Sequence, residues 1–91
     1  MSGNYKIMIT KAAQKDKEKT KQYPALKKNV SNLLELISEN PYKSPPPYEK
    51  LLGNLSQCYS RRINSQHRLV YMVDEENKVV KIISMWSHYE F

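Results

Sequence analysis

Apolar and polar positions alternate near the start of the chain, where Tyr5, Ile7 and Ile9 are separated by Lys6 and Met8. That is the period of a short strand with one buried face. Thr10 has the side chain to cap a following helix, predicted over Lys11 to Gln22. Its apolar groups are nearly confined to Ala12, Ala13 and the adjoining Tyr23, so its lysines must point to solvent or to a partner. Tyr23-Pro24 interrupts this segment, and Pro24 suits the first position of a second helix. There Leu26, Val30, Leu33, Leu34 and Ile37 recur at helical spacing and form a continuous apolar stripe. Asn40-Pro41 ends it, and the stripe makes this helix the expected main packing partner of a sheet.

From Asn40 to Lys50 the chain contains four prolines, which predicts a stiff, irregular connector that holds Glu49 in place. Three strands are expected beyond it: Gln57 to Ile63, His67 to Asp74, and Val79 to about Trp86. Asn64-Ser65-Gln66 and Asp74-Glu75-Glu76-Asn77 supply the turns. Strands joined by such short loops run antiparallel. The order β-α-α-β-β-β therefore predicts an α+β fold, with two N-terminal helices packed on one face of an antiparallel sheet. The 91 residues suffice for one domain, 1–91, with one small core.

Composition narrows the class. Hydrophobic residues make up 40% and charged residues 26%, ordinary for a soluble globular protein. No apolar run approaches the roughly 20 residues that cross a bilayer. The start of the chain has no apolar signal segment, so a cytoplasmic protein without membrane contact is expected. A single cysteine, Cys58, excludes an intramolecular disulfide framework. The formal charge of +6 is unevenly placed: residues 1–30 hold eight lysines against Asp16 and Glu18, while the remainder balances seven basic against seven acidic residues. The N-terminal third thus carries the long-range attraction for a polyanion or an acidic protein, or forms a plain solvated face.

The candidate chemistry lies in Glu49–Tyr71. If Asn64-Ser65-Gln66 is the loop, Ile63 pairs with His67 and Arg62 lies directly opposite Arg68. Like charges facing each other across a strand pair repel by up to about 1 kcal/mol. An anion between the two guanidiniums would convert that repulsion into binding, because each planar fork matches a phosphate. Cys58, His67 and His88 lack zinc-ligand spacing, no carboxylate cluster suits magnesium, and there is no glycine-rich phosphate loop. Neither metal nor cofactor is expected.

The combination Glu49…Asn54-Leu55-Ser56…Ser60-Arg61-Arg62-Ile63…His67-Arg68-Leu69-Val70-Tyr71…His88-Tyr89 resembles the Txe/YoeB toxins of the RelE superfamily. The resemblance is specific over residues 49–89 and agrees in layout before them. It implies a RelE-like α+β fold and a toxin of a type II toxin–antitoxin system. The implied activity is cleavage of messenger RNA in the ribosomal A site, which stops translation. The implied partners are a cognate antitoxin, the ribosome and messenger RNA, with a homodimer as a further assembly. Carried over by position, Glu49 would be the general base, Arg68 would stabilise charge on the phosphate, and His88 would be the general acid. Arg62 and Tyr89 would contact or position substrate, with Lys50 and Arg61 in the same substrate-binding set. The chain departs from the family pattern in two ways. Leu52 stands where a lysine is usual, and Glu90 and Phe91 follow the tyrosine.

Such residues fit RNA scission without metal. The 2′-hydroxyl attacks the adjacent phosphorus in line with the departing 5′-oxygen, leaving a 2′,3′-cyclic phosphate and a 5′-hydroxyl. One group accepts the 2′-OH proton and another protonates the leaving oxygen, each worth about 10²–10⁴-fold. Histidine titrates near neutrality and can serve as the acid. Arginines hold the negative charge that builds on phosphorus. Taken singly, Glu49 reads as a solvated loop residue and His88 as a surface histidine; it is the set that points to catalysis. The competing readings are a non-catalytic RNA- or ribosome-binding module of the same fold and, less well matched to an acid–base pair, a toxin directed at another target such as DNA gyrase.

Overall fold

The computed structural model describes residues 4–45, 47–51 and 57–86. The elements run β1 (Lys6–Ile9), α1 (Lys11–Thr20), α2 (Pro24–Glu39), β2 (Tyr48–Lys50), β3 (Cys58–Arg62), β4 (Arg68–Asp74) and β5 (Val79–Ser84). The five strands form one sheet in the order β1-β5-β4-β3-β2. Two helices on this sheet match the expected α+β layout. Two details differ. Tyr48–Lys50, expected as part of the proline-rich connector, is an antiparallel edge strand on β3. And β1 pairs with β5 in parallel, because two helices intervene between them and carry the chain back to the same end of the sheet.

Local chemistry sets the helix limits. Thr10 has extended backbone angles, and its Oγ1 accepts from the Ala13 amide at 3.3 Å while donating to the Ile82 carbonyl at 2.7 Å. The same side chain therefore caps α1 and fastens it to β5. Lys17 and Lys19 lie in the last turn of α1, where cations complement the helix dipole. Pro24 opens α2, and the Asn40 amide closes it by donating to the Leu36 carbonyl at 3.0 Å.

The stripe read from the sequence faces inward: Leu26, Val30, Leu33 and Ile37 of α2 are buried against Leu69, Tyr71, Val80, Ile82 and Met85. Burying each such aliphatic side chain contributes about 1.5–3 kcal/mol, which makes this layer the core. Leu51, Cys58 and Val70, with Met72 and Ile83 against them, form a smaller cluster on the other side of the sheet. Burial raises the pKa of the Cys58 thiol.

The proline-rich connector is fastened at two points. Tyr42 and Tyr5 both donate to the Glu75 carboxylate, at 2.7 and 2.9 Å, and Lys78 pairs with it at 3.2 Å. The hydroxyl of Tyr42 first, then that of Tyr5, holds this carboxyl below the usual glutamate range. Deeper in, Tyr71 donates to the Pro41 carbonyl at 2.7 Å. These bonds tie the segment before β2 to the body of the sheet.

Candidate active site

Strand alternation determines which residues meet. Glu49 of β2 lies opposite Ser60 of β3, and Arg62 of β3 lies opposite Arg68 of β4. Directly opposed residues share a face, and Ser60 and Arg62 are two apart on one strand. Glu49, Ser60, Arg62 and Arg68 are therefore presented together on the face away from the helices. Together with Ile63, Asn64 and Ser65 they line an open cleft of about 580 Å³.

Within the cleft Arg68 Nη1 stands 3.9 Å from Glu49 Oε1 and 3.5 Å from Ser60 Oγ. The side chains of Arg68 and Glu49 are 30% and 68% exposed. An ion pair this open and this long contributes little, within about 0–1 kcal/mol. It is loose enough for an anionic ligand to take over the guanidinium. The direct opposition of Arg62 and Arg68 expected from the sequence is present in the register.

The hairpin tip that sets this register is well tied. Asn64 Oδ1 accepts from the amides of Gln66 and His67 at 2.8 and 2.7 Å, an Asx-type turn. The Ile63 amide donates to the His67 carbonyl at 2.8 Å. From outside the hairpin, Asn29 Nδ2 donates to the Ile63 carbonyl at 3.1 Å. Arg62 and Arg68 thus flank a turn held from within and from α2.

Two of the residues expected to bind substrate are not brought to the cleft. Arg61 precedes Arg62 and points to the opposite side of β3, where it is 1% exposed. Its Nε donates to Tyr71 Oη at 3.1 Å, and its Nη2 donates to the carbonyls of Pro41 and Lys43 at 3.0 and 2.8 Å. Its guanidinium also lies over the Tyr48 ring, 4.9 Å from the centroid. Arg61 braces the connector into β2 instead of facing the cleft. Lys50, opposite Tyr59, alternates away from Glu49 and is exposed. Conversely, Ser60 and Asn64 contribute to the cleft without having been singled out. The signal for Ser60 was its two-residue spacing from Arg62.

His88 and Tyr89 lie outside the described residues, as do Leu52, Glu90 and Phe91. The register is informative as far as Ser84. An irregularity between Val70 and Tyr71 shifts the β4–β5 pairing so that Val70 opposes Ser84, whereas Tyr71 opposes Ile82. Val70 and Ser84 are thus directly opposed at this end of the sheet, and Trp86, two residues past the strand, packs against the helix-side core. Among the described residues no group of three or more His, Cys, Asp or Glu could hold a metal ion, and no helix is long and apolar enough to cross a membrane.

The arrangement offers one carboxylate able to accept a proton beside two guanidiniums able to hold a phosphate, on three adjacent strands. Known proteins resemble this chain over most of its length. A YoeB toxin of Synechocystis is 40% identical over 65 residues, covering 71% of this chain and 73% of that protein. The structure of a YoeB/ParE toxin from Agrobacterium tumefaciens superposes with a TM-score of 0.85 at 25% identity, over 92% of this chain and 99% of that one. The toxin chain in a YoeB–YefM complex from Staphylococcus aureus gives 0.80 at 37% identity, over 93% and 98%. The family model of the YoeB-like toxins of bacterial type II toxin–antitoxin systems matches residues 11–89, and the chain belongs to that family.

Proposed function

We propose that this toxin is a ribosome-dependent endoribonuclease that cuts messenger RNA in the A site and thereby inhibits translation. Residues 1–91 act as a single toxin domain in the cytoplasm. Glu49 accepts the proton of the 2′-hydroxyl as that oxygen attacks phosphorus. Arg68 and Arg62 hold the non-bridging oxygens as negative charge builds on them. His88 protonates the departing 5′-oxygen, and Tyr89 positions the substrate; both assignments rest on the family pattern. The products are a 2′,3′-cyclic phosphate and a 5′-hydroxyl, and the reaction draws on no metal.

The observation that carries this reading is the meeting of Glu49, Arg62 and Arg68 in one cleft although they come from β2, β3 and β4. A scaffold built for stability alone would not oppose two arginines beside an exposed carboxylate. An antitoxin is the expected silencing partner, as a YoeB–YefM complex is known from Staphylococcus aureus. A dimer of YoeB is known from the same organism, and self-association of this chain is proposed on that likeness.

Glu49→Gln keeps the size of the side chain and removes its basicity. Cleavage by that variant is expected to fall about 10²–10⁴-fold, while folding and antitoxin binding persist. Mapping RNA 5′ ends after induction reads the outcome. Undiminished cuts in Glu49→Gln would remove the base assignment. Arrest of translation by the parent protein with no new 5′-hydroxyl ends would instead favour a non-catalytic binding module.

A further inference from the structure

A second group of side chains suited to nucleic acid lies on the other side of the β3–β4 hairpin from the phosphate cleft. His67 immediately precedes Arg68, and by strand alternation their side chains diverge. The His67 ring stacks on Trp86 with centroids 4.5 Å apart and planes 30° from parallel. Its Nδ1 donates to the main-chain carbonyl of Trp86. Tyr23 follows at 5.8 Å from Trp86, tilted by 34°. Lys19 Nζ stands 5.7 Å from the centre of the Trp86 ring. Three rings from three places in the chain, each inclined by 30–34° to the next, thus form a series with an ammonium beside it.

Closing the end of the core accounts for Trp86, which packs against the buried cluster. It does not account for Tyr23, which is 51% exposed and supplies no side-chain cap to α2. An aromatic ring left half in water, continuing a stack and flanked by lysine, has the makings of a platform for an unpaired base. Every base has a π-face, and stacking on aromatic side chains with a cation near the backbone is how single strands are held without sequence readout. The charge agrees, since residues 1–30 carry eight lysines against two acids.

We propose that Tyr23, Trp86, His67 and Lys19 form a stacking subsite for an unpaired nucleobase that flanks the phosphate bound by Arg62 and Arg68. Tyr23 supplies the open face, Trp86 and His67 back it from behind, and Lys19 meets the backbone. A strand crossing the hairpin tip at Asn64–Gln66 would engage both sites. The proposal rests on the RNA-directed reading above, and it adds a means of grip that is independent of the bond-breaking step.

The test uses the full chain and a short single-stranded 2′-O-methyl oligonucleotide, which lacks the free hydroxyl needed for cleavage. A matched strand with the same phosphates but abasic at most positions is the control. Trp86 is the chain's single tryptophan, so its emission reports directly on the subsite. The base-bearing strand is expected to quench Trp86 and to bind more tightly than the abasic one at low salt. Tyr23→Ala should weaken the base-bearing strand about tenfold and leave the abasic strand unchanged; Tyr23→Phe should restore binding. The Tyr23 ring is exposed and its helix starts at Pro24, so the alanine variant keeps the fold, which circular dichroism verifies. Equal affinity of the parent for both strands, no binding of either, or no effect of Tyr23→Ala would each overturn the proposal. So would a Tyr23→Ala chain that keeps its RNA affinity but loses its antitoxin, which would assign the rings to a protein partner. No arm involves cleavage, so failure of the Glu49 assignment would be seen separately.

Discussion

Replacing Arg61 by methionine keeps most of the side-chain volume and deletes the guanidinium. In the native protein that group donates to Tyr71 Oη, the Pro41 carbonyl and the Lys43 carbonyl at 3.1, 3.0 and 2.8 Å. Hydrogen bonds from a charged donor contribute about 1.5–3 kcal/mol each, and buried acceptors left without one add to the loss. Methionine also escapes the desolvation cost of a buried cation, which offsets a large part of that sum. Pro41 keeps the Tyr71 hydroxyl as a donor at 2.7 Å, whereas Lys43 loses its charged donor. The net loss should be about 3 kcal/mol, a substantial share of the roughly 5–15 kcal/mol that holds a typical domain together. With a urea dependence of about 1–1.5 kcal/mol per molar, the unfolding midpoint should drop by roughly 2–3 M. Circular dichroism and Trp86 emission would follow the transition. Arg61→Lys should recover only part of the loss, because an ammonium cannot span three acceptors as the planar fork does. A midpoint within about 0.5 M of the parent at unchanged slope would refute the claim that this guanidinium braces the connector.

Two further outcomes follow from the cleft and from the far end of the sheet. Arg62→Gln removes the like-charge opposition to Arg68 and should raise stability by up to about 1 kcal/mol while lowering RNA cleavage; a variant that is both less stable and fully active would contradict the paired-guanidinium account. Glu75 is held below the usual carboxylate range by Tyr42 and then Tyr5, so its contribution is complete above the ordinary glutamate value of about 4.3 and is lost as pH falls through the lowered folded-state value. The melting temperature of the parent should therefore fall more steeply than that of Glu75→Gln as pH drops below about 5, and parallel curves would remove the carboxylate from the acid response.

Much of the fold was legible because strong periodicities coincide with strong punctuation. Thr10, Pro24 and Asn40 mark helix ends by local chemistry, and the α2 stripe leaves little choice of buried face. The opposition of Arg62 and Arg68 followed from loop length alone. β2 escaped notice because three residues after a run of prolines show no period, and they become a strand only through the partner edge that β3 offers. The parallel β1–β5 seam depends on a partner some seventy residues away, which no local pattern reveals. Placing Arg61 with Arg62 at the substrate overlooked the alternation that the same strand assignment required, since adjacent strand residues cannot share a face. Lys50 beside Glu49 fails for the same reason.

The seam between the first strand and the last has a kinetic consequence. Thr10 and Ile82, joined by a hydrogen bond, stand 72 positions apart, and Lys6–Ile9 has no ladder partner until Val79–Ser84 exists. Contacts this distant in sequence form late, so on a polysome the sheet stays one rung short until nearly the whole polypeptide has been made. The β2–β3–β4 segment that carries Glu49, Arg62 and Arg68 can zip earlier, but without its final backing. A growing chain thus carries its Glu49, Arg62 and Arg68 cleft on an incomplete sheet until synthesis is almost done.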